Sequence, residues 1–311
     1  MTKAAKVYLT LYSIDSLSTA NTYNDIENIA KSLNDSLDVY KRSNNVDINC
    51  SNDFFEYGNI GESLDDKLLD IVQNNWDYYQ LALSEINNVV LPYVTNNNTE
   101  GMLAVINNQI AILPRHYSFI LADTYNWPSV SPENHTTSWS HTLSLNSKFI
   151  ADNHTNVQEF ISWSKINYEY LDFHPNLENT LSTIQVGTYT DYKQLLSHGL
   201  NALNQSYHLI STEANQNQAD LNIISHLTHQ LGHQLNCSRQ GRNKIPTVFN
   251  KPNSAEDETI NCEYHLKIDT TDNRHPIPRG TGNPVRIYFG LKSYNEYERK
   301  QFKIAHIGKH L

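Results

Sequence analysis

Cysteine is scarce in this chain. Three residues (Cys50, Cys237 and Cys262) form no CxxC pair and no even-numbered framework. That excludes a disulfide-stapled secreted scaffold and fits a reducing compartment. No apolar run approaches a membrane span, and no basic-then-apolar leader opens the sequence. A cytoplasmic protein without membrane attachment is therefore expected. Two glycosylation-like triplets start at Asn134 and Asn153, but in so Asn-rich a chain they read as coincidence. Basic residues are also in short supply, 23 Lys and Arg against 33 Asp and Glu. The deficit is uneven. Residues 241–311 hold 12 Lys and Arg against 8 Asp and Glu, whereas residues 1–240 hold 11 against 25. A basic end on an acidic body suggests that the end meets an anion.

The composition still supports a folded protein. Mean hydropathy is -0.56, yet 39% of the 311 residues are hydrophobic and 19 are tyrosine. That is enough for a core and for roughly two domains. Apolar residues recur at helical spacing over Thr22 to Arg42, from a Ser63 cap to Pro92, over about Glu100 to Leu113, and near Val157, Tyr189 and Gln218 to Leu235. Residues 126–141 read as a loop, and Val7 to Leu11 as a strand or a helix start. Tyr78, Tyr79, Tyr168 and Tyr170 are expected in cores. Ser238 to Ile260 is polar and broken by Gly241, Pro246 and Pro252. The expected architecture is α+β: a mainly α-helical acidic domain over 1–240 and a small basic domain with an antiparallel sheet over 241–311.

The chemistry is concentrated at the carboxyl end. Tyr264, Leu266 and Ile268 alternate with Glu263, His265 and Lys267; Val285, Ile287, Phe289 and Leu291 alternate with Arg286 and Tyr288. Period-two alternation marks half-buried strands. Side chains two apart on one strand face stand about 6–7 Å from each other. One surface would then carry an imidazole, an ammonium, a guanidinium and a phenol, joined from the chain end by His306, Lys309 and His310. Such groups suit metal-free RNA cleavage: a base for the ribose 2′-OH, cations for the crowded phosphate and an acid for the leaving 5′ oxygen.

Arg286-Ile-Tyr-Phe289 followed by Lys303-Ile-Ala-His-Ile-Gly-Lys-His-Leu311 resembles the carboxyl-terminal strands of RelE/ParE-type toxins. The resemblance covers about seventy residues. It implies a small α+β domain and, in the RelE branch, metal-free cleavage of mRNA, usually on the ribosome. Position by position it points to Arg286, Tyr288, His306, Lys309 and His310. It also implies a prokaryotic toxin-like effector of an antiviral defence kind, with RNA or the ribosome as partner, no cofactor, and possible control by a regulatory protein. The family is usually free-standing. Here a large acidic region precedes the strands, which reads as a plain solvated surface or, in the functional version, as a restraint or a sensor. The ParE branch is not a nuclease, so a non-catalytic binding or assembly protein stays open as the alternative.

A second motif competes. His226, His229 and His233 fall within ~60° on a helical wheel, opposite Ile224, Leu227, Leu231 and Leu235. His229-Gln-Leu-Gly-His233 resembles the zincin signature H-E-x-x-H, but Gln230 stands where the general base belongs. Peptidase chemistry lacks its carboxylate, which leaves a zinc site or a wet helix face.

Overall fold

The computed structural model describes residues 5–43, 46–56, 63–108, 117–123, 130–213, 217–240, 245–280 and 284–311. The fold is α+β, in two compact units, Met1–Asn146 and Ser147–Leu311.

The first unit is not simply helical. Strands β1 (Ala5–Leu9), β2 (Val46–Cys50), β3 (Tyr117–Leu121) and β4 (His135–Thr136) form a parallel sheet in the order β2-β1-β3-β4. Parallel strands need crossovers, and helix α1 (Tyr23–Lys41) makes the first. Its start is fixed by a capping box: Asp25 N–H donates to Thr22 Oγ1 at 3.3 Å, and Asp25 Oδ2 accepts from Thr22 N–H at 2.9 Å. Its predicted stripe is its buried face (Ile26, Ala30, Leu33, Leu37 and Tyr40).

The single long helix expected from Ser63 to Pro92 is two, α2 (Leu64–Ile71) and α3 (Trp76–Val90). Ser63 does cap the first, accepting from Asp66 N–H at 3.1 Å. The break lies at Gln73 and Asn74, both left-handed (φ 55 and 58). Asn75 then caps α3 by accepting from Asp77 N–H and Tyr78 N–H. Tyr79 and Tyr168 are buried as expected, but Tyr78 is 48% exposed. Helix α4 spans Thr99–Asn107. The rest of the helix foreseen to Leu113, and the start of the loop foreseen from 126, lie outside the described residues. Residues 135–136 of that loop are β4, and helix α5 (Trp139–Asn153) begins inside it.

The second unit opens within α5 and continues with α6 (Val157–Asn167), β5 (Leu171–Phe173), α7 (Leu177–Leu181), α8 (Lys193–Ser206) and α9 (Asn217–Gln230). Next come β6 (Cys237–Arg239), β7 (Pro246–Asn250), β8 (Asp257–Asn261), β9 (Tyr264–Ile268), β10 (Val285–Lys292) and β11 (Gln301–Lys309). The sheet order is β5-β11-β10-β9-β6, antiparallel except where β5 runs parallel to β11. A boundary near 241 therefore does not coincide with the division into units. β5 and β6 precede residue 241 yet supply both edges of this sheet, and backbone pairing ties them to it.

One face of the sheet is apolar. Leu266, Ile268, Val285, Ile287, Phe289, Phe302, Ile304 and Ile307 have no exposed surface. Each buried aliphatic contributes roughly 1.5–3 kcal/mol. Helix α8 comes down on this face at Gly199, beside Ile287 and Leu266. At one end of the opposite face, Phe249 and Ile260 of the β7–β8 ribbon pack with Cys262 and Ala305.

Beyond β5, the outer edge of β11 is closed by side chains. Thr180 Oγ1 accepts from Ile307 N–H at 3.0 Å, and Thr183 Oγ1 accepts from Lys309 N–H at 3.2 Å. Gly308 allows this approach, since a Cβ there would lie 2.3 Å from Thr180 O and 2.4 Å from Thr183 Oγ1. Gly308→Ala is expected to cost about 1–3 kcal/mol by overpacking, read as a lower urea midpoint at unchanged slope. An unchanged midpoint would show that the edge yields freely.

Candidate functional site

The cross-strand register assembles most of the predicted face. Tyr288 stands opposite His265 on one side and His306 on the other, and Arg286 stands opposite Lys267 and Gly308. Directly opposed residues share a sheet face. The rings touch: centroids are 5.0 Å apart for His265–Tyr288, 5.7 Å for Tyr288–His306, 6.0 Å for His265–His310 and 6.4 Å for Tyr288–His310. His265, Arg286, Tyr288, His306 and His310 thus form one cluster, with Lys267 beside it.

Strict alternation would not have placed His306 there. It would turn Phe302, Ile304 and His306 the same way. The register shifts between Tyr288 and Phe289, pairing them with His306 and Ile304, so Ala305 is an extra residue in β11. This bulge reverses the parity. Ile304 and Ile307 both reach the core, and His306 joins Tyr288.

Lys309 departs from the prediction. It pairs with Val285 and so lies on the apolar side of the register. It meets the cluster through its backbone, where Lys309 O lies 3.0 Å from His306 Nε2.

The cluster is packed in rather than spread on the surface. Relative exposure is 3% for His265, 6% for Arg286, 0% for Tyr288 and 7% for His306. Burial, reinforced by the positive charge of Arg286, Lys267 and His310, pushes the His265 imidazole down to about 3. Burial lowers His306 to about 4, with Lys309 opposing its protonation through charge and favouring it through the carbonyl contact. Burial also lowers His310 and raises Tyr288. The imidazoles are therefore neutral near pH 7.

Several partners were not foreseen. His265 Nε2 lies 3.1 Å from Ser238 Oγ, on β6. Ser238 falls in the segment read as polar and without periodicity. Arg286 Nη1 donates to Asp269 Oδ1 at 2.9 Å and to Val285 O at 2.8 Å. Asp269 directly follows β9, and its place after Lys267-Ile268 was the available signal. Tyr288 Oη accepts from Leu311 N–H at 3.0 Å. One polar atom, Arg286 Nε, is buried with no hydrogen-bond partner among the described residues, whereas the Glu263 backbone bonds the His265 imidazole and favours its proton. Lys267 is half-buried, and no ion pair engages it among the described residues. The face thus offers one free ammonium, one guanidinium shared with an exposed carboxylate, and unfilled donor capacity.

The histidine motif does not persist as one helix. Helix α9 ends at Gln230, and Gly232 takes φ +106. His233 N–H donates to Thr228 O at 3.2 Å and Gly232 N–H to His229 O at 3.0 Å, a glycine-terminated helix end. His233 therefore leaves the helical face that carries the exposed His226 and His229. Its carbonyl instead lies 2.7 Å from His198 Nε2. Among the described residues, no group of three His, Cys, Asp or Glu side chains is placed to hold a metal. No helix among them is long and apolar enough to cross a membrane.

No protein-family model matches this chain, and no solved structure matches it. The likeness to RelE/ParE toxins accordingly rests on the strand motifs themselves.

Proposed function

We propose that the polar face of the C-terminal sheet binds an RNA phosphodiester and cleaves it without metal, as a toxin-like endoribonuclease acting on free or ribosome-bound RNA. The observation that carries this reading is the convergence of His265, Arg286, Tyr288 and His306 in one cross-strand row and its neighbour. Arg286 and Lys267 hold the phosphate. A neutral imidazole takes the 2′-OH proton, the 2′ oxygen attacks phosphorus, and the 5′ oxygen leaves with a proton from a second group. The products are a 2′,3′-cyclic phosphate and a 5′-hydroxyl. A phosphodiester's negative charge beside these imidazoles raises their pKa from the depressed values of the free protein. That makes a protonated acid available in the complex. The acidic residues of the first 240 positions would supply a restraint on this activity, and a partner protein could do the same.

A second reading has its own observation. The same groups are nearly sealed, and Arg286 already has a carboxylate. In that account the cluster is a polar core that shapes a docking module for a non-catalytic binding or assembly protein.

The test is RNA incubated with purified full chain in EDTA, alongside growth of cells expressing it. The cleavage reading expects 5′-hydroxyl products and growth arrest. Joint Arg286→Ala and His306→Ala should reduce cleavage by about 10²–10⁴-fold and restore growth. Intact RNA and unimpaired growth with the wild-type chain would favour the docking account.

A further inference from the structure

The first unit holds a cavity where its topology calls for one. The order β2-β1-β3-β4 means that the chain leaves β1 toward β2 on one side and later returns to place β3 on the other. In open parallel sheets the crevice outside the carboxyl ends of two such strands is where ligands bind. A cavity of about 270 Å³ occupies that position. Ser13 and Ser16 follow β1; Leu121, Ala122 and Asp123 end or follow β3; Asn28, Ser32 and Ser36 line it from α1. The α1 residues are four apart, so they share one helix face. A second cavity of about 440 Å³ shares Asn28, Ser32 and Ser36 and extends to Val39 and Trp139. The two form one groove, in the size range of small-ligand sites.

The lining selects the chemistry. Among the described residues Asp123 is the only charged side chain lining the inner cavity, and the rest of that polar lining is hydroxyl and amide. In the inner cavity that disfavours an anion and suits vicinal hydroxyls, while the outer cavity carries one charge of each sign, Lys31 and Asp35. Asp123 is held in place, since its Oδ2 accepts from Ser16 N–H at 2.8 Å. Ser13 is also fixed, donating to Leu121 O at 2.6 Å. The outer cavity adds an aromatic face at Trp139, itself braced edge-on by Tyr40 with centroids 5.5 Å apart. Aromatic faces stack nucleobases.

We infer that this groove binds a nucleoside, with the ribose diol at Asp123 and the base against Trp139. The site is independent of the sheet cluster at the carboxyl end. Calorimetric titration of the full chain with adenosine and with uridine tests it. At least one should bind saturably, and its 2′,3′-dideoxy analogue should bind at least about tenfold more weakly, the loss expected when hydrogen bonds to a carboxylate are left unmade. Asp123→Ala should weaken binding similarly. Ser32→Leu, at an exposed helix position that tolerates leucine, should abolish it while leaving the thermal midpoint intact. The inference is overturned if neither nucleoside binds up to about 1 mM, if the dideoxy analogue binds equally well, or if Ser32→Leu is without effect.

Discussion

Asp220→Ala is expected to destabilise the second unit by about 3–5 kcal/mol, the cost of leaving one partner of a buried ion pair uncompensated. Lys300 Nζ and Asp220 Oδ2 are 2.6 Å apart, with side chains 2% and 0% exposed. The second carboxylate oxygen of Asp220 is also used, accepting from Ser211 N–H at 2.8 Å. Removing the carboxylate strands a buried ammonium and leaves an amide without its acceptor. Joint Asp220→Leu and Lys300→Met separates charge from packing. It removes both ions and should recover most of the loss, because a buried pair is often replaceable by apolar groups. Urea unfolding of the three proteins is the measurement. A single mutant that unfolds like wild type would mean that Lys300 finds another partner or reaches solvent.

Acid should loosen the same unit well before carboxylates titrate. His265 and His306 have folded-state values of about 3 and about 4 against an ordinary 6.5. For a base whose pKa is depressed by folding, the unfolded chain binds the proton first. Stability is then complete above about pH 6.5 and falls as pH drops toward the folded values, flattening below them. At roughly 1.4 kcal/mol per unit, the two together are worth on the order of several kcal/mol across that window. Burial lowers His154 and His198 of this unit as well, and these add in the same direction. The check is the urea midpoint at about pH 7 and about pH 4.5 for wild type and for joint His265→Gln and His306→Gln. The variant should lose clearly less on acidification. Equal losses would remove these two residues from the account.

The parts of this molecule that were readable in advance are those governed by local period. The α1 stripe, the Ser63 cap and the faces of β9 and β10 follow from spacing that any residue-by-residue walk detects. The long helix failed at Gln73 and Asn74, whose left-handed backbone is a choice that asparagine-rich segments permit but do not announce. The parallel sheet of the first unit was missed for a different reason. Val7 to Leu11 was readable as a strand or a helix start, but β1 and β3 are five residues each and pair across more than a hundred positions, so nothing adjacent in sequence marks the pairing. The boundary foreseen at 241 went with the shift from acidic to basic composition, whereas the sheet recruits β5 and β6 from before it. Of the candidate site, the identity of the polar residues was legible. The place of His306 beside Tyr288, the place of Lys309 on the opposite face and the hold of Asp269 on Arg286 depend on register, which one strand read by itself does not contain.

The extra residue at Ala305 has a further implication. The constellation around Tyr288 is specified by a count as much as by residue identity. Deleting one position there would leave every imidazole, guanidinium and phenol in the gene, yet it would rotate either His306 away from its neighbours or Ile304 out of the interior. Comparisons of this protein with others that tolerate single-residue gaps in the last strand would therefore credit chains with a constellation they cannot form.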